Sequence, residues 1–421
     1  MKRILLRARR DPFRVVDAEA TIRHNLIGNN VGNLVFSMAA WKTLSSTGAE
    51  LAADDFAAGP GDADRINAEY DAYVIPLANA FRKSFEPQLI RMTRLIERLT
   101  IPVVILGVGA QSNVAYDLEP LRPIERSARA FASAVLERSP TIGVRGEFTE
   151  TYLRSLGFRD VEVIGCPSMF FHGDRLDVTR KVPAIGPEAR LAVNISPYVR
   201  AMAPIVEAHR RRYANLVYVA QDLETLALLV RGDRHPVADE RNRNPVYRSH
   251  PLLREDRVRF FLDPLPWMRF LAGCDLSFGT RIHGNITSLL AGTPAFVFAH
   301  DSRTLELARY FDIPYALMST LTPDTDIAAL YAAADYGPMV EGHRARYETY
   351  VAYLARNGLA EGLFDPDRSA AFDARLAAVD FPPAVHASPS GRGSRIAGRV
   401  RRLKRHRWVR RVRKLLARVR P

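Results

Sequence analysis

The chain has 421 residues, 47% hydrophobic and 25% charged, the proportions of a soluble globular protein too long for one ordinary core. Its formal net charge of +14 is localised: residues 391–421 hold 14 of the 60 Lys and Arg and no Asp or Glu, leaving a body of 46 basic and 46 acidic residues. That balance excludes a nucleic-acid-binding fold throughout, and two cysteines, Cys166 and Cys274, exclude a disulfide framework or a cysteine-based zinc site.

In chain order, residues 4–6 are too short an apolar stretch for a signal-peptide core, and no run approaches the ~20 apolar residues of a membrane span. The cytoplasm is the expected compartment. Residues 20–25 read as a strand entering the turn GNNVGN (28–33), followed by a helix over 34–44. Strands at 72–76 and 103–108 flank a helix with apolar positions from 89 to 99. A helix over 124–136, a strand at 141–144, a helix over 148–156 and a strand at 161–164 follow. Residues 174–187 are polar and proline-bearing and read as an interdomain connection.

The alternation then restarts, with strands at 191–195, 216–220, 259–262, 276–278 and 295–298 and helices between them. One of these helices begins near Leu265, and another spans 304–311. Residues 231–254 read as a long surface loop or lid, and 339–354 as a late helix. Repeated strand–helix alternation implies parallel βαβ units. The predicted fold is α/β, with two Rossmann-like domains facing across a cleft: 1–185 and 186–380, then a linker over 381–394 and a basic helical tail over 395–421.

The stretch FGTRIHGNITSLLAGTP (278–294) carries the site. The strand beginning at Leu276 delivers Arg281 and His283 to its carboxyl end, beside the start of a helix over 283–291. Gly292 takes the helix C-cap position, and Pro294 leads into the next strand. Open parallel sheets bind ligands at that end, and free N–H groups of a helix start attract anions. A permanent cation and a titratable imidazole there point to an acidic small molecule.

Five segments in this order resemble the polysaccharide pyruvyl transferase family: GNNVGN (28–33), LGVGAQS (106–112), SPTIGVRGEFTETYLRSLG (139–157), VEVIGCPS (161–168) and GTRIHGNITSLLAGTPAFVFAHDSRTLELARYFDIP (279–314). The resemblance implies a GT-B-like fold and an enzyme, a ketal-forming transferase. It would move a pyruvyl group from phosphoenolpyruvate to sugar hydroxyls in a surface polysaccharide or glycolipid precursor. By that resemblance Arg281 and His283 contact the donor and are catalytic, with Gly284 and Asn285 beside them. Arg145 is a second cleft cation, and Asn29, Gly32 and Asn33 contact the acceptor. No metal and no cofactor beyond the donor substrate is demanded. This chain departs from the family's pattern at Asn33, at Cys166–Pro167 and at Gly146, mainly in the acceptor half.

The residues also admit a GT-B glycosyltransferase using a nucleotide sugar, or a non-catalytic sugar-binding or scaffold protein of the same fold. GVGAQS and GNNVGN also read as plain tight turns, and Cys166 and Cys274 as small buried apolar residues. His24, His172 and His300 could line the cleft, but their spacing makes no metal site, and Asp54–Asp55 is too bare for one. In the tail, Ile396, Val400 and Leu403, then Trp408, Val412, Leu415 and Val419, recur at helical spacing among arginines. That pattern favours peripheral binding to the anionic inner face of the plasma membrane, and a lipid-linked acceptor, over nucleic acid or a solubilising tail.

Overall fold

A computed structural model describes residues 2–359 and 365–387. The expected tail over 395–421 and the second half of the linker, 388–394, lie outside the described residues. Among those described, no helix is long and apolar enough to cross a membrane.

The first half contains β1 (Arg3–Leu6), β2 (Glu50–Ala53), β3 (Ala72–Pro76) and β4 (Val103–Leu106), all parallel, in the order β2-β1-β3-β4. The pair β5 (Ile142–Val144) and β6 (Val161–Val163) continues this sheet through a parallel bridge from Val108 to Val144. Where β4 and β5 do not pair directly, the Tyr353 hydroxyl accepts from Gly143 N at 3.0 Å and donates to Ile105 O at 2.6 Å. Tyr353 belongs to the late helix Gly337–Arg356, so this part of the chain returns to close over the first sheet.

The second half contains β7 (Leu191–Asn194), β8 (Leu216–Ala220), β9 (Val258–Phe260), β10 (Leu276–Gly279), β11 (Ala295–Ala299) and β12 (Tyr315–Leu317). They form one parallel sheet in the order β12-β11-β10-β7-β8-β9. This is the doubly wound order, which reverses between β7 and β10. The first sheet reverses between β1 and β3. The two-domain α/β architecture expected from strand–helix alternation is therefore present.

The helix Gly32–Ser46 buries 13 of its 15 residues, Lys42 among them, so it lies in the interior and has no solvent face. It packs between the first sheet, the helix Ile282–Leu290 of the second domain and the helix Pro366–Ala377. Lys42 is paired with Asp373 at 2.7 Å. One apolar cluster runs through Leu34, Phe170, Leu289, Phe311 and Tyr350, so both halves share a core.

One expectation is overturned and two are refined. Residues 20–25 are not a strand but most of the helix Ala18–His24: Asp17 caps it by accepting from Ala20 N at 2.7 Å, and Asn25 ends it in the left-handed region at φ 49°. The stretch 232–250 is irregular but fastened. Buried Asn242 and Asn244 both donate to Pro197 O, at 2.9 and 3.2 Å. The start of the expected linker is pinned to the sheet edge, where Val385 exchanges both backbone hydrogen bonds with Phe260 of β9.

Candidate active site

A cavity of about 870 Å³ lies between the carboxyl ends of the two sheets, so both strand-order reversals open onto it. On the second-domain side the site is built by Asn194, at the end of β7. Its side-chain oxygen accepts from Arg281 N at 2.8 Å, and its amide nitrogen donates to Asn285 Oδ1 at 2.8 Å. Gly279, at φ 136°, allows this approach, since a Cβ there would lie 1.9 Å from Asn194 O. The strand end and the first turn of the helix Ile282–Leu290 are thereby locked together.

Arg281 and His283 reach the cavity wall, as expected. Gly284 and Asn285 do not. Asn285 is fully buried and holds Gly279 O through its amide at 3.0 Å, and Gly284 is packed flat on Asn194 and Gln221. Their place is behind the wall, shaping it. Arg145 leaves β5 into the cavity, with Gly109 lying so flat against it that a Cβ would come within 2.4 Å of Nε.

Sequence spacing missed several cavity residues. Arg82 and Arg303 join Arg145 and Arg281 on the wall, and Asn79 stands between the first two. With its oxygen turned toward them, the Asn79 amide accepts from both guanidinium groups. Arg303 is held by Asp301 at 2.7 Å and by the Tyr198 hydroxyl at 3.0 Å. Asp222 was also missed. It caps the helix Leu223–Arg231, accepts from His235 Nε2 at 3.0 Å, and lies 3.7 Å from Arg281. Its second oxygen, Oδ2, is buried on the cavity wall without a hydrogen-bond partner. Asn79, Arg82 and Asp222 lie outside the five family-like segments, whereas Arg303 falls within the segment 279–314. They converge because separate strands end at one place.

Charge in this region is unbalanced. Arg7, Arg9, Arg82, Arg91, Arg145, Arg281 and Arg303 line the cavity against two acids, Asp222 and Glu224. Burial, then the fields of Arg145, Arg303 and Arg281, push the His283 imidazole down to about 3, so it is neutral near pH 7. Burial lowers Arg82 to about 10, with Arg303 adding to the effect. Burial also lowers Arg145, whose Nε and one terminal nitrogen make no hydrogen bond. Its nearest carboxylate, Glu306, is 3.9 Å away, and burial pushes that carboxyl up to about 8 despite Arg145 and the hydrogen bonds of Thr149. Against the opposing effect of burial, the His235 hydrogen bond and the Arg281 charge keep Asp222 below the usual carboxylate range.

The two glycine-bearing turns join the domains. Val31 N donates to Gln221 O and Leu223 N to Asn29 O, a short antiparallel bridge between the turn 28–33 and the end of β8. On the other flank Ser302 N donates to Ser112 O and the Ser302 hydroxyl to Ala110 O. Asn29 and Asn33 do line the cavity. Gly32 does not; it faces His283, where a Cβ would lie 2.7 Å from the histidine Cβ. Of the three other histidines considered, His300 lines the cavity and His24 and His172 do not. Both cysteines are buried, and among the described residues no cluster of His, Cys, Asp or Glu is placed to hold a metal ion.

Set beside known proteins, residues 30–302 match a family described as polysaccharide pyruvyl transferase. No curated protein matches the chain. Among solved structures it is similar to the UDP-GlcNAc 2-epimerase of Methanocaldococcus jannaschii in complex with UDP-GlcNAc and UDP, with TM-score 0.45 and 10% identity over 84% of this chain and 99% of that one. It is also similar to the glycosyltransferase of kitacinnamycin, with TM-score 0.38 and 13% identity over 89% of this chain and 99% of that one.

Proposed function

Because the chain belongs to the polysaccharide pyruvyl transferase family, we propose that its cavity binds phosphoenolpyruvate and transfers the pyruvyl group to hydroxyls of a sugar. The observation that carries this reading is the set of guanidinium groups of Arg82, Arg145, Arg281 and Arg303 around a neutral imidazole. Phosphoenolpyruvate presents a carboxylate and a phosphate, and planar forks suit both. Each charged hydrogen bond is worth about 1.5–3 kcal/mol.

In the proposed reaction a sugar hydroxyl adds to C2 of the donor. His283, held neutral by burial and the arginine fields, takes the hydroxyl proton. The bound anion offsets the arginine fields, so the imidazole holds that proton long enough to deliver it to the methylene carbon, which becomes a methyl group. The C2–O bond to phosphate then breaks with its electron pair leaving on the phosphate. A second hydroxyl closes the ketal, and its proton leaves with the phosphate or through Asp222 Oδ2. The residues of the chain supply anion binding and proton transfer, and this sequence of steps asks for no cofactor.

The test is incubation of the protein with phosphoenolpyruvate and a panel of lipid-linked and nucleotide-linked sugars, with mass detection of the adduct and assay of released phosphate. Pyruvyl adduct with stoichiometric phosphate is expected. Thermal stabilisation by nucleotide sugars but not by phosphoenolpyruvate would overturn the reading in favour of glycosyl transfer.

A further inference from the structure

The two carboxylate oxygens of Asp222 have different surroundings. Oδ1 is saturated, accepting from Thr225 N at 2.9 Å, from the Thr225 hydroxyl at 2.7 Å and from His235 Nε2 at 3.0 Å. Those bonds complete the cap of the helix Leu223–Arg231 and make no use of Oδ2. The side chain is only 7% exposed, yet Oδ2 has no donor on the cavity wall, and Arg281 stands 3.7 Å away. A carboxylate oxygen withdrawn from water and left without a donor is costly, so capping alone does not account for it.

His235 fixes which partner carries the proton. Its Nδ1 accepts from Val237 N at 3.3 Å, so the ring hydrogen is on Nε2 and points at Asp222. The neighbouring Gln221 has the opposite need: its side-chain nitrogen is buried and has no acceptor, and the residue lines the same cavity. The turn 28–33 clamps this pair, through Val31 N to Gln221 O at 2.9 Å and the bridge from Asn30 to Asp222. An unsatisfied acceptor and an unsatisfied donor on adjacent residues suit a hydroxyl, which donates one bond and accepts another.

The charge of the wall gives that hydroxyl a chemical setting. When phosphate leaves C2, the carbon and its new ether oxygen become positive amid guanidinium groups that oppose such charge. Of the two acids that line the cavity, Asp222 is the one beside Arg281. A hydroxyl attacking a cationic carbon becomes strongly acidic, so a carboxylate of low basicity suffices to take its proton.

We propose that Gln221 and Asp222 seat the second acceptor hydroxyl, that Asp222 Oδ2 takes its proton as the oxygen bonds to C2, and that His235 positions the carboxylate. The hydroxyl oxygen supplies the electron pair of the new C2–O bond, which discharges the cation. The proton passes from Oδ2 to solvent when the ketal leaves. The first hydroxyl's proton still travels through His283 to the methylene carbon, so the two additions use different groups. The assignment rests on the pyruvyl-transfer reading.

Asp222→Asn keeps an oxygen for the helix cap and removes the charge. The full-length variant is incubated with phosphoenolpyruvate and the panel of lipid-linked and nucleotide-linked sugars, and phosphate, ketal and free pyruvate are measured together. The wild type should give one ketal per phosphate. In the variant phosphate release should continue while ketal per phosphate falls at least about tenfold, the lower end of what a placed proton acceptor contributes. Water then adds to C2, and the hemiketal collapses to pyruvate and the original sugar, so pyruvate replaces ketal one for one. His235→Leu should move the ratio the same way, and His235→Gln, which keeps a donor, should restore it. This second pair carries the test if Asp222→Asn fails to bind phosphoenolpyruvate by calorimetry. A purely structural cap would slow both products together, so a ratio that stays at one in Asp222→Asn or His235→Leu overturns that residue's role. Loss of phosphate release from a variant that binds phosphoenolpyruvate also overturns it, because the carboxylate would then act before ring closure. A wild-type protein that forms no ketal overturns the pyruvyl-transfer reading and this assignment together, whereas wild-type ketal with unchanged ratios in the variants overturns the assignment alone.

Discussion

His283 Nε2 lies 3.6 Å from the sulfur of Cys166, a contact that joins the end of the first domain's β6 segment to the first turn of the helix Ile282–Leu290. The thiol is fully buried, and burial pushes its pKa up against the pull of Arg145, so it stays neutral. Among the described residues the imidazole therefore has no anion beside it, and three arginines act on it.

Cys166→Asp would place a carboxylate at that position. The expected outcome is a rise in the His283 pKa from about 3 toward the ordinary imidazole range, read from its ring-proton NMR titration. Cys166→Ala should leave it low. Equal titration in the two variants would disprove the electrostatic account.

Phosphoenolpyruvate binding should draw a proton into the site at pH values where free His283 is neutral, because the donor's charge offsets the arginine fields. Calorimetry in buffers of different ionisation enthalpy measures this uptake directly. His283→Asn should abolish the uptake and cut phosphate release by about 10²–10⁴, the usual contribution of a placed proton-transfer group. Unchanged turnover would remove the histidine from the chemistry.

Arg281→Lys keeps the charge but loses the planar fork that faces the cavity. Loss of one charged hydrogen bond, about 1.5–3 kcal/mol, should weaken phosphoenolpyruvate binding by about tenfold or more. Equal affinity for the donor would count against direct contact.

Arg10 and Asp263 form a fully buried pair at 2.5 Å that ties the segment after β1 to the second domain. Arg10→Met strands the carboxylate and should cost about 3–5 kcal/mol in denaturant unfolding, much of it recovered in Arg10→Met/Asp263→Leu. Burial raises Asp263 to about 6 in the folded protein, against Arg10. Its proton-linked stabilisation is therefore present at acid pH and lost as pH rises through about 6. His283 has the opposite sign: its contribution is present above its ordinary value and lost as pH falls toward about 3. The Arg10→Met defect should accordingly be larger at pH 7 than at pH 5.

Residues 391–421 carry 14 basic side chains and no acids. Their deletion should abolish sedimentation with anionic liposomes and leave pyruvyl transfer to water-soluble acceptors intact. Liposome binding that survives the deletion would dismiss a membrane role for this segment.

What the sequence determined by itself was local. Strand-to-helix alternation announced parallel sheets, and residues 276–294 could be placed at a strand's carboxyl end because Arg281, His283 and Gly292 are close neighbours along one chain segment. Even local reading failed at residues 20–25, where the cap on Ala20 N from Asp17 and the left-handed Asn25 outweighed an apolar pattern too short to have a period. Tertiary structure decided the rest. Arg82, Asp222 and Arg303 come from three separate segments and meet only because the order of the second sheet reverses between β7 and β10 and the turns 28–33 and 110–112 clasp the facing domain. Spacing along a chain encodes which face a side chain takes. Which distant faces meet follows from long-range pairing and shared burial, and that is where the cavity acquired its charge and His283 its neutrality.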